Sequence, residues 1–129
     1  APENINVDNP ILGQPYRVMV NYYSDNFTGT PTYPTVNIYC GGSMRGAFGG
    51  DPPVEVNTAD GFSSGPSNDN WLVADVVFFQ GTCGSACMVC PLGSIVRASD
   101  TGYYGYASTS PFGPAWSCNY DAATETCTP

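Results

Sequence analysis

The sequence predicts an all-β domain, an antiparallel sandwich or small barrel with long loops, stapled by three disulfides. Apolar residues recur at alternate positions in short segments, the signature of half-buried strands. Fifteen glycines and twelve prolines interrupt every stretch long enough for a helix, and turn-forming residues fill the gaps. Six cysteines in 129 residues form an even set, as expected of a small secreted scaffold. The length suits a single domain spanning 1–129.

Residues 16–23 (YRVMVNYY) read as the first strand, with Tyr16, Val18, Val20 and Tyr22 on one face and Arg17 and Asn21 opposite. Residues 35–40 alternate again, so that Val36, Ile38 and Cys40 share a face. Residues 41–50 and 60–70 are dense in Gly, Pro, Ser, Asn and Asp and read as loops. Residues 71–79 (WLVADVVFF) are apolar on both faces. That pattern predicts a central strand covered on each side. Residues 94–98 and 103–107 complete the set, and no internal repeat is present.

The charge balance excludes several functions. Only 11% of residues are charged, against about 25% in an average domain. Arg17, Arg45 and Arg97 are the sole cations, and the net charge is −8. Three scattered arginines cannot build a phosphate-binding surface, so nucleic acid is not a partner. Docking on anionic lipid needs polybasic segments, which are equally missing. No run approaches the roughly 20 apolar residues of a membrane-spanning helix, so no membrane insertion is expected. With no histidine, Ser-His-Asp and Cys-His catalysis are excluded, and with no lysine so is Schiff-base chemistry. Any enzyme built on this chain would move protons with carboxylates.

The start at Ala1-Pro2-Glu3, without an initiator Met or a charged-then-apolar leader, is expected of a chain whose signal peptide has been removed. The sequon Asn26-Phe27-Thr28 lies in a polar stretch and marks Asn26 for glycosylation on a surface loop. Both point to secretion, and an acidic, lysine-free surface suits an extracellular setting at low pH.

Cys40, Cys83, Cys87, Cys90, Cys118 and Cys127 allow 15 pairings. The spacing of Cys83, Cys87 and Cys90 matches the three-cysteine pattern that holds an iron–sulfur cluster in radical enzymes. Those are much larger intracellular proteins. Cys87-Met-Val-Cys90 could form a redox pair, but no βαβ pattern surrounds it. An all-cysteine zinc site is the third option. Structural disulfides suit the compartment better than any of these, so neither metal nor cofactor is expected. Cys118 and Cys127 read as a local staple of the C-terminal region, leaving Cys40 tied to the 83–90 cluster.

Asp75 stands out among the carboxylates because it lies inside an apolar strand. An unpaired charge there is costly, so the group pairs or protonates. As a general acid it would have a raised pKa and a second carboxylate, such as Asp100 or Glu55, within about 5–10 Å. As a structural group it would pair with Arg17 or Arg97 on a neighbouring strand or be a hydrogen-bonded polar group of the core, and this reading is preferred. The aromatic content of 13% supplies another lead. Tyr103, Tyr104, Tyr106 and Trp116 form a cluster suited to stacking on sugar rings, although a β-protein also uses aromatics for its core. Trp71, Phe78 and Phe79 are expected to do so. Oxygen-bearing residues at Asn57, Asp60 and 68–70 could surround a Ca²⁺ ion, but they lack EF-hand spacing. Asx turns explain them without metal.

The Thr/Ser/Gly/Tyr-rich composition and the C-terminal pattern Ala115-Trp-Ser-Cys118 to Thr126-Cys127-Thr-Pro129 resemble small secreted cysteine-rich proteins of fungi and mushrooms. In size and style the chain is similar to fungal immunomodulatory and effector-like proteins, and unlike the four-cysteine cerato-platanins. The resemblance is compositional and assigns no residue a role. It implies an extracellular, non-enzymatic binding protein whose partner is a glycan or a cell-surface protein. Two alternatives stand beside it. One is a small polysaccharide hydrolase using a carboxylate pair. The other is a cell-wall or coat component, and self-association, such as a homodimer, would accompany it.

Overall fold

The computed structural model describes residues 3–22, 31–56, 69–81, 84–96, 114–121 and 126–128. Its described residues form strands and turns and no helix. The strands are β1 (Pro15–Asn21), β2 (Val36–Cys40), β3 (Ser43–Phe48), β4 (Asn70–Gly81), β5 (Gly84–Val96), β6 (Asn119–Asp121) and β7 (Thr126–Thr128). Every pairing is antiparallel. The main sheet has the order β1-β4-β5, while β2-β3 and β6-β7 are two-stranded.

β4 takes the central position because it is apolar on both faces. Trp71, Leu72, Val73, Ala74, Val76 and Val77 are all buried. On one face, Trp71, Val73 and Ala74 join Val56 in a core against Val18, Val20, Val89 and Ile95 of the flanking strands. Val36, Ile38 and Phe48 of the β2–β3 hairpin cover this face. A smaller cluster contains Val77, Cys90 and Cys118, with Met88 packed against it. Tyr16, half-buried opposite Val76, continues the face of Val18 and Val20 expected of it. Its ring meets Phe78 edge-on at 5.8 Å, and its hydroxyl accepts the Ile11 N–H at 2.8 Å.

The expected loop at 41–50 is instead mostly strand. Gly41 and Gly42 have φ values of 58° and 83°, the pair of positive values that a tight two-residue hairpin turn requires. The turn folds residues 43–48 back onto β2 although Ser43, Gly46 and Ala47 are weak strand formers. Gly46 is bare so that the Phe48 ring can lie over it, since a Cβ there would stand 2.6 Å from Phe48 Cε2. The strand expected at 94–98 begins earlier: β5 starts at Gly84 and contains Cys87 and Cys90. Residues 103–107 lie outside the described residues.

One disulfide, Cys40–Cys87, joins the hairpin to β5 with a Cα–Cα distance of 6.2 Å. It fulfils the expected link between Cys40 and the 83–90 cluster. Cys87 lies opposite Phe78 near the end of β4, so the bond pins the end of the central strand. Among the described residues, no helix is long and apolar enough to cross a membrane.

Candidate functional site

Asp75 is fully buried, and four hydrogen bonds occupy its carboxylate. Arg17 lies opposite it on β1. The guanidinium donates from Nε to Oδ1 at 2.8 Å and from Nη2 to Oδ2 at 2.9 Å. Ser117 adds its backbone N–H at 2.7 Å and its hydroxyl at 2.8 Å, both to Oδ2. Burial pushes the Asp75 pKa up, but the hydrogen bonds from Arg17 and Ser117 outweigh it and hold the carboxyl below its usual value. The group is therefore ionised, the opposite of what a general acid needs. Of the two readings of Asp75, the geometry matches the structural one.

The same guanidinium organises the segment that follows. Nη1 donates to the Pro114 carbonyl at 2.5 Å and Nη2 to the Ala115 carbonyl at 3.0 Å. Its Cζ stands 5.0 Å from the centre of the Trp116 ring, within cation–π range. Trp116 is half-buried, and its described partner is thus Arg17. Tyr103, Tyr104 and Tyr106, the other members of the predicted aromatic cluster, lie outside the described residues, as do Asn26, Cys83, Arg97 and Asp100. Glu55, the other candidate carboxylate, is exposed and accepts the Tyr33 hydroxyl at 3.0 Å. That hydrogen bond raises the Tyr33 pKa, and the carboxylate's charge adds to it.

Of the proposed Ca²⁺ loop, Asp69 and Asn70 are described and buried. The Asp69 carbonyl accepts the Tyr22 N–H at 2.9 Å, which is a role in the fold. Residues 57–68 lie outside the described residues. Among the described residues, no group of three or more His, Cys, Asp or Glu side chains could hold a metal ion.

The outer face of the β2–β3 hairpin was not singled out in the sequence. Alternation sends Val36 and Ile38 into the core and leaves Thr35, Asn37 and Tyr39 exposed. Tyr39 lies opposite Met44, and Asn37 lies opposite Ala47. Tyr39 is 59% and Met44 54% exposed. At the end of the hairpin away from its turn, Thr35, Asn37, Ala47, Phe48, Gly49, Gly50 and Asp51 line an open groove of about 410 Å³. The signal was present in the alternation that buries Ile38 and Cys40, because the same period turns Tyr39 outward. No family model, curated protein or solved structure matches this chain.

Proposed function

We propose that the protein is an extracellular, non-enzymatic binding module that recognises a neutral glycan through the outer face of the β2–β3 hairpin. The observation that carries this reading is the exposed Tyr39–Met44 pair near the turn of a hairpin whose other end carries a groove lined by Asn37 and Asp51. An aromatic ring presents a flat apolar surface to the C–H face of a sugar, while amide and carboxylate oxygens take its hydroxyls. A net charge of −8 disfavours sulfated or uronic-acid chains and leaves neutral polysaccharides as the matching class. The Cys40–Cys87 bond supports an oxidising compartment. The hairpin packed on the three-stranded sheet supports an antiparallel sandwich. The hydrolase alternative loses its best general acid, because Asp75 is held ionised by Arg17 and Ser117.

A glycan array probed with the wild-type protein and with Tyr39→Ala tests the proposal. Binding to neutral glycans that falls at least tenfold in the variant, at unchanged thermal stability, is the expected result. Equal binding by both proteins moves the site off this face. Hydrolysis of a polysaccharide in the same assay overturns the non-enzymatic reading. Attachment to enzymatically deglycosylated cells points to a cell-surface protein as the partner.

A further inference from the structure

We infer that Cys90 and Cys118 form a second disulfide, which bolts the 114–118 segment onto the main sheet. The two side chains share one buried cluster with Val77, at 5% and 0% exposure respectively. Cys90 lies directly opposite Asp75 across β4 and β5. The segment following Pro114 is clamped onto that same residue pair. Cys118 Sγ stands 3.8 Å from the Asp75 carbonyl oxygen, and the Ser117 hydroxyl lies 3.3 Å from the Cys90 carbonyl oxygen. With the Ser117 N–H on the Asp75 carboxylate, two consecutive residues of the segment contact the pair, Ser117 through its backbone and hydroxyl and Cys118 through its sulfur. The sulfur at 118 is thereby set against the strand pair that carries the sulfur at 90.

Thiols gathered in a dry cluster of a disulfide-bearing protein are the arrangement from which a structural bond forms during oxidative folding. Cys118 was expected to pair with Cys127, nine residues along the chain. The register instead favours Cys90, brought alongside from 28 residues away. Formation is a thiol–disulfide exchange. Each thiol gives up its proton, and the two electrons released as the S–S bond forms reduce a donor disulfide, small-molecule or protein-borne, to two thiols.

Cleavage without reduction tests the pairing. Cyanogen bromide cuts after Met19, Met44 and Met88, and a Glu-specific protease cuts after Glu125, so that Cys90 and Cys118 fall together in fragment 89–125. Cys83 and Cys87 are carried by fragment 56–88, and Cys127 by fragment 126–129. The wild-type protein is first unfolded and treated with iodoacetamide to tag any free thiol. The expected product is fragment 89–125 released on its own and untagged, which gains the mass of two hydrogens and then two tags after reduction. Fragment 89–125 joined to 126–129 or to 56–88 overturns the pairing. Tags on Cys90 and Cys118 before reduction overturn it as well.

Discussion

Arg17 and Asp75 face each other across β1 and β4 and join through two parallel hydrogen bonds, with the carboxylate fully buried and the guanidinium side chain 4% exposed. Removing one member of such a pair strands the other charge in the core. Asp75→Asn is therefore expected to lower the unfolding free energy by about 3–5 kcal/mol. Ser117→Ala, which removes one hydroxyl donor, is expected to cost about 1 kcal/mol. Urea titrations of the three proteins check both values. A change below about 1 kcal/mol for Asp75→Asn would show that the pair is dispensable to the fold.

The same carboxylate sets the acid limit. Its pKa in the folded protein lies below the unfolded value, so its contribution is complete above the unfolded pKa of about 4 and is lost as pH falls through the folded pKa. Asp75 then contributes no slope between pH 7 and 5, and its stabilisation declines below about pH 4. Thermal melts across that range should show a plateau and then an acid limb, with a shallower limb in Asp75→Asn. A collapse near pH 5 would contradict the assignment and the suitability for acidic surroundings.

The Cys40–Cys87 bond closes a sequence separation of 47 residues. Replacing both cysteines by serine is expected to cost about 2–4 kcal/mol, chiefly by freeing the unfolded chain. The double variant avoids leaving a reactive thiol. The shift in urea midpoint measures the effect, and an unchanged midpoint would refute it.

Gly49 has a φ of 89°, and a Cβ there would overlap the Pro34 carbonyl oxygen and stand 2.9 Å from Trp71 Cη2. Gly49→Ala combines backbone strain with a clash against the core, and about 1–3 kcal/mol of destabilisation is expected. Gly42 serves as the comparison. It too has positive φ, but nothing lies within 4 Å of a Cβ built there. Gly42→Ala should therefore cost less, and the difference between the two variants isolates the clash.

Much of the frame was legible because burial writes itself into alternation. β4 reads as central from Trp71 to Phe79, and Asp75 within that apolar run announces a partner. β3 was illegible because Ser43, Gly46 and Ala47 carry no strand signal, and its pairing is imposed by the turn at Gly41–Gly42 and the packing of Phe48. Ser117 was illegible for another reason. It reaches Asp75 from 42 residues away along the chain, and no local pattern marks it as a donor. Tyr39 is legible in the alternation of residues 35–40, which turns it away from Ile38 and Cys40.

The reach of the Arg17 side chain also bears on how the chain folds. Its contacts with Pro114 and Ala115 span 97 and 98 of the 129 residues. Such a closure pays its loop entropy before it gains any contact energy, and topologies dominated by distant pairings fold on a scale of roughly milliseconds to seconds. Until residues 114–117 arrive, Asp75 lacks both Ser117 donors and its ion pair lies uncovered. A nascent chain halted before that point would therefore hold a charged, half-solvated sheet, and the segment that seals it is synthesised only after all three strands of that sheet.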